Sequence, residues 1–338
     1  MTAVKHGLTG RLGDMPLSEA RRLLERAMAK AASFKQHGVF IVVDSSGTPV
    51  CAVRMDGAPA GALPIVRAKA FGAAVNCEPS EKFGARMAKF HAGIFSTYQR
   101  VLRDQPFPGA GSVLLRKDGV TTGAIATGLN IGPFIKLPSV NPASFLIDGV
   151  PGNLEDIVIS YAVGGGYSPQ HGDDVARWVE AYGENPAAGT VGTGLDEVPP
   201  VRSQPVLDHA TQLADLVLGN AGAQDLSVAV AVVDRFGDPV RIDRMLGCPP
   251  MAVDIAVQTA AAAINFQMAT DEITATFPHG GQLERLLSAV PFRLLVMPGA
   301  SPLQEGGSIT AAVGVAGCKP DIAQRLANEA TTFFKDKE

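Results

Sequence analysis

Arg54 and Arg244 occupy matching places in two similar stretches of the chain. Each closes an apolar run and precedes a Gly/Pro loop, Arg54-Met55-Asp56-Gly57-Ala58-Pro59 in one case and Arg244-Met245-Leu246-Gly247 in the other. A guanidinium at a strand end can hold a carboxylate through two parallel hydrogen bonds, so both are candidate anion anchors. The plainer alternative is an ion pair that ties down the loop. Lys69, in Arg67-Ala68-Lys69-Ala70, is a candidate base or imine-forming amine if its helix buries it. The general exposure of lysine favours a solvated face instead. Of the six histidines, His91, His171 and His279 stand in contexts that suit an acid/base group or a ligand contact. His91 lies in a helical segment, Lys82–Tyr98. His171 precedes a predicted helix beginning near Asp173, and His279 sits in a His-Gly-Gly loop. None of them has the spacing of a metal motif, and no metal site is expected. Cys318 stands at the predicted start of the last helix, where a thiolate is favoured. A small buried hydrophobe is its commoner role.

These residues are positioned by a chain that is written twice. Val39–Val43 with Asp44 and Gly47 recurs as Ala229–Val233 with Asp234 and Gly237, and Arg54 recurs as Arg244, at a constant offset of 190. A repeat this long is two copies of one domain, not a solenoid unit. Each copy opens with an amphipathic helix, capped by Ser18 in the first and covering Leu207–Leu218 in the second. A β-hairpin follows in each, Phe40–Asp44 with Val50–Arg54 and Val228–Asp234 with Val240–Arg244. An alanine-rich helix comes next, Pro64–Val75 or Ala252–Phe266. The second copy closes with the strand Ile309–Val315 and a helix over Ile322–Phe334, with Pro320 in its first turn. In the first copy the closing strand is expected later: Ile159–Pro169 reads as a delayed strand and glycine turn, ahead of the helix at Asp173. The expected organisation is an N-terminal extension over 1–16 and a first domain over 17–182 with an insertion at about 130–155. A linker over 183–204 and a second domain over 205–338 follow.

Composition narrows the function classes. The 338 residues are 46 % hydrophobic and 18 % charged, with a net charge of −4, which describes a globular chain without a nucleic-acid footprint. Four scattered cysteines form no CxxC pair and no disulfide framework. No run of 18 apolar residues occurs, so no membrane span is expected, and a cytoplasmic protein is the default reading.

The spaced motifs resemble the GlcG/HbpS family, which includes haem-binding HbpS-type proteins and the C-terminal domain of PduO-type proteins. The opening pattern is carried by Asp44, Gly47, Arg54–Pro59 and Ala68-Lys69-Ala70. The closing pattern is carried by Pro298–Gly307 and Ala312–Gly317. The resemblance implies an α/β (α+β) fold of two tandem profilin-like domains. Each would be a five-stranded antiparallel sheet flanked by helices, and the pair would make a pseudo-two-fold intrachain dimer. It also implies haem or tetrapyrrole binding, with His91, His279 and His171 as the available cofactor contacts, and assembly into homo-oligomers. The alternative is an enzyme of small organic acid catabolism, a lyase, isomerase or hydrolase. Its catalytic candidates are Lys69, His279, Arg54 and Arg244.

Overall fold

The computed structural model describes residues 15–33, 36–87, 89, 92–102, 104–117, 119–129, 146–147, 150–151, 154–164, 204–277, 280–290 and 293–335. They fall into two compact units. One comprises the described residues up to Val50 and from Gly57 to Gly164. The other comprises Cys51–Asp56 and the described residues from Gln204 onward.

In the first unit, α1 (Leu17–Ser33) precedes β1 (Gly38–Asp44), which leads through a tight turn to β2 (Pro49–Arg54). Asp44 makes the turn: its Oδ1 accepts from the amides of Ser46 and Thr48, and its carbonyl accepts from Gly47. Gly47 has φ +77, and a Cβ there would lie 2.4 Å from the Phe71 ring, so the position requires glycine. Helices α2 (Ala62–Asn76), α3 (Ser80–Met87) and α4 (Ala92–Val101) follow, then β3 (Ser112–Lys117) and β4 (Val120–Leu129). The sheet order is β3-β4-β1, with β4 antiparallel to β1 from Leu129 opposite Gly38 to Gly123 opposite Asp44. β1 is buried along both faces, as a strand covered by helices on each side must be. The helices packed on this sheet are α1, α2 and α5 (Leu154–Ala162).

Helix α5 corrects the sequence reading. Ile159–Ala162, expected as strand, is helical. Glu155, Val158, Ile159 and Ala162 are all buried, a spacing of three and four that marks one helical face. The closing strand is not delayed: β4 already pairs with β1, in the place that Ser308–Ala316 takes beside Ala229–Asp234 in the second copy. Of the expected insertion, a two-stranded ladder of β5 (Leu146–Ile147) and β6 (Val150–Pro151) is described, and Glu155 belongs to α5. The helix expected at Asp173 and the linker before Gln204 lie outside the described residues. Ser18 lies inside the first turn of α1, which begins at Leu17.

The second unit has the sheet order β2-β8-β7-β10-β9. It is built from β7 (Ala229–Asp234), β8 (Pro239–Arg244), β9 (Ala300–Glu305) and β10 (Ser308–Ala316), together with β2 from the first copy. The second copy therefore supplies four strands of its own sheet, not the five expected. β2 runs antiparallel to β8, with Cys51 opposite Asp243 and Val53 opposite Arg241. The Asp234 turn repeats the Asp44 turn, its Oδ1 accepting from Phe236 and Asp238 amides around Gly237. Helices α6 (Pro205–Gly222), α7 (Ala252–Phe266) and α10 (Pro320–Lys335) pack on the sheet, with α8 (Thr270–Thr276) and α9 (Gly280–Ala289) between. Asp56, which has no acidic counterpart at Leu246, caps α6. Its carboxylate accepts from the amides of Val206 and Leu207, both at 3.1 Å.

Candidate functional site

Three ionisable side chains meet inside the first unit. Lys69 on α2 is 3 % exposed, and its Nζ lies 2.6 Å from Glu155 Oε2 on α5 and 3.2 Å from the Thr127 carbonyl on β4. The preference for a solvated lysine is thus overturned. Eight of the fifteen residues of α2 are Ala, Val or Gly, and its buried face, which includes Ala70, Gly72, Ala73 and Ala74, packs on the sheet and takes Lys69 inside with it. Glu155 also accepts from the Leu129 amide through Oε1 at 3.0 Å. Next to it, Asp156 accepts from the Gly111 amide through Oδ1 at 2.8 Å. Burial pushes the Asp156 carboxyl up to about 7, and the neighbouring Glu155 charge adds to the rise. The Gly111 hydrogen bond and Lys69 oppose it. Gly111 has φ +93, and a Cβ on it would stand 2.5 Å from Glu155 Oε2, so glycine lets the two carboxylates approach the strand. A side chain titrating near neutrality beside an ammonium is chemically able to exchange protons at physiological pH.

The same place in the second unit is neutral. Thr259 stands where Lys69 does and hydrogen-bonds its own helix at Ile255 and Ala256. Gln324 Oε1 accepts from the Gly299 amide at 2.8 Å, as Asp156 does from Gly111. Ala323 takes the place of Glu155 beside that glycine. Glu155 and Asp156 were missed in the sequence. Their signal is an acidic pair opening an apolar run whose buried positions recur every three or four residues.

The two arginines do not converge on this cluster. Arg54 pairs with Asp234 at 2.5 Å and donates through Nε to the Pro239 carbonyl. Arg244 is buried and donates to the Cys248 carbonyl at 3.3 Å, bracing the loop that follows it. A further buried pair joins Arg241 to Asp243 through two bonds, at 2.7 and 3.1 Å, and the Cys51 thiol donates to the same carboxylate. Cys318 lacks the thiolate character that a helix start suggests: burial raises its pKa, and Cys248 is pushed up to about 12 for the same reason. Both thiols therefore stay protonated and are poor nucleophiles.

His91, His171 and His279 lie outside the described residues. Two of them adjoin helices that are described. His91 is followed at once by α4 and His279 by α9. On α4, Tyr98 is held by Asn76 and packs on Phe83, whereas Ile94 is 55 % and Val101 73 % exposed. On α9, Leu283, Leu286 and Leu287 share one face, and Leu286 is 47 % exposed. Each candidate donor is thus succeeded in the chain by an amphipathic helix with exposed apolar side chains. Among the described residues, no group of three or more His, Cys, Asp or Glu side chains could hold a metal ion. None of the described helices is long and apolar enough to cross a membrane.

The family model described as "Haem degrading protein HbpS-like" matches residues 15–128 and again 206–332. The chain belongs to the HbpS-like family. Each match spans one copy of the repeat, so the tandem organisation read from the internal offset is a doubling of this family's domain. Among individual relatives, an uncharacterised 15.0 kDa protein of Citrobacter freundii, from the dhaT-dhaS intergenic region, is 28 % identical over 130 residues. The match covers 38 % of this chain and 92 % of that protein. Klebsiella pneumoniae ORFY is 30 % identical, with 38 % of this chain and 89 % of that one covered and a TM-score of 0.36. A double mutant of Streptomyces reticuli HbpS is 26 % identical, with 41 % and 92 % covered and a TM-score of 0.35. A PduOC–haem complex is 22 % identical, with 37 % and 91 % covered and a TM-score of 0.35.

Proposed function

We propose that the protein binds haem or a related tetrapyrrole. The observation that carries the proposal is the HbpS-like match in both repeats. It is supported by the exposed apolar faces of α4 and α9, directly after His91 and His279 in the chain. In this reading His91, His279 and His171 are the residues that would hold the group, and an exposed apolar helix face beside His91 or His279 would shield it. The bound iron would supply the redox chemistry. The chain's own residues bind, orient and shield the group. The reading keeps the protein cytoplasmic and homo-oligomeric, the latter checked by light scattering on the purified chain.

Haemin titration followed by absorbance tests the proposal. A saturable Soret band that is lost in His91→Ala or His279→Ala supports it. A featureless titration overturns it.

The buried Lys69–Glu155–Asp156 cluster favours a second reading, proton-transfer chemistry on a small organic acid. Its supporting observation is an Asp156 carboxyl titrating at about 7 beside an ammonium. Thermal stabilisation by small carboxylic acids, lost in Lys69→Met, would support this reading. Stabilisation unchanged by that substitution would remove the cluster from it.

A further inference from the structure

We infer that the outer face of helix α10 is a docking surface for a second copy of this chain, with the two helices antiparallel across a two-fold axis. The axis passes between Arg325 and Glu329. The inference rests on the self-association proposed above, names the surface behind it, and does not depend on haem.

The helix has two unlike sides. Ala323, Leu326, Ala327 and Ala330 are buried against β9, β10 and α6, whereas Asp321, Arg325, Glu329 and Thr332 recur at helical spacing along the exposed side. A polar outer side alone describes a solvated surface helix. This one also carries an apolar site at each end, with opposite charges between them. At its start, Pro298 and Pro320 line a cavity of about 1030 Å³, which Gln324 and Asn328 continue as far as Phe333. At its end, Phe333 is 44 % exposed. Midway, Arg325 Nη1 lies 2.9 Å from Glu329 Oε1, and the two side chains are 48 % and 40 % exposed. From α6, Gln224 accepts from Arg325 and Asn220 donates to Glu329, which holds the pair upright on the surface.

This order of groups is its own complement. Across the two-fold axis Arg325 faces the partner's Glu329, and Glu329 faces the partner's Arg325, so two ion pairs join into one ring of alternating charge. Asp321 and Phe333 stand equally far from the axis, each about 9 Å along the helix. Each Phe333 therefore meets the first turn of the partner's helix, beside the partner's Pro298 and the partner's Pro320. Asp271 and Asp321 stay at the rim, in the first turns of α8 and α10, where the helix dipole already favours a carboxylate. The two kinds of contact do different work. Exposed ion pairs add little affinity, so the attraction comes from taking two phenylalanine rings out of water. The charges set the orientation. A parallel pairing would put Arg325 against the partner's Arg325 and leave both rings away from the prolines.

Analytical ultracentrifugation of the full chain at micromolar concentration tests the surface. The wild type should associate. Arg325→Glu and Glu329→Arg should each halve the mass of the assembly, because each sets like charges across the axis. Mixing these two variants one to one should restore the wild-type mass, since an all-acidic face then meets an all-basic one. A role of the pair confined to one chain would not be rescued in this way. Phe333→Asp should halve the mass and be rescued by neither variant. A monomeric wild type overturns this inference together with the self-association it rests on. A wild-type assembly whose mass the single variants leave unchanged, or whose mass the mixture does not restore, overturns this surface alone. Should a charge variant fail to fold, an unchanged mass in Phe333→Asp still overturns it. Haemin takes no part in the measurement, so a failed titration and a failed interface remain distinct.

Discussion

Two glycine amides, Gly111 in the first repeat and Gly299 in the second, are satisfied by the side chain of the helix packed behind them. One partner is the carboxylate of Asp156 and the other the amide of Gln324, each at 2.8 Å. The geometry is conserved and the electrostatics are not. In the second repeat the donor is answered by neutral groups throughout: Gln324 also bonds Thr270, Asn328 and the Ala300 carbonyl. In the first, the carboxylate needs Lys69, and Lys69 brings in Glu155. The difference teaches that the fold asks only for an acceptor at this point. The charged solution is extra, and a buried ion cluster is rarely kept for stability alone, since well-packed neutral groups do as well or better. That is the physical ground for treating the first repeat's version as functional.

The comparison can be broken from either side. The largest effect is expected from Thr259→Lys, which puts an ammonium among the apolar residues of the second repeat without a carboxylate beside it. It should cost more than about 4 kcal/mol in urea unfolding or prevent folding. Tolerance of that lysine would mean that the two environments are electrostatically alike. Next is Lys69→Met, which takes the ammonium away from the buried Glu155 carboxylate and should cost about 3–5 kcal/mol by the same measurement. Gly111→Ala should cost about 1–3 kcal/mol, from the positive φ and the clash with Glu155. The smallest effect belongs to the triple exchange Lys69→Thr, Glu155→Ala, Asp156→Gln, which writes the second repeat's solution into the first. It should stay within about 2 kcal/mol of wild type at neutral pH and flatten the pH dependence of stability. A large loss there would mean that the cluster is structural after all.

What was legible in the sequence was local. The Asp44–Gly47 and Asp234–Gly237 turns are set within five residues by one carboxylate and one positive-φ glycine, and α7 has the span its pattern predicts. The cluster was not legible because its members are far apart in sequence. Lys69 finds Glu155 across 86 positions, and nothing near Lys69 announces a partner. α5 was misread for another reason. Ile157–Ala162 is almost wholly apolar, and a short apolar run does not declare its period. The buried face is defined only when Glu155 is counted in it, and carboxylates are not counted as core. The partners of the arginines were not legible either. Their type and spacing suggested ligand chemistry, yet for Arg54 the anion is supplied by Asp234 of the chain itself.

The strand β2 sets a limit on how this protein can be divided. By sequence it belongs to the first repeat, but Cys51–Val53 pair with β8, Cys51 covers the Asp243 carboxylate, and Asp56 caps α6. A gene cut between the two repeats would leave the second with a raw edge along β8, an uncapped helix and a buried acid newly opened to water. Such an edge recruits whatever strand it meets. Fission into two independently expressed proteins is therefore closed to this chain unless the fragments find each other again.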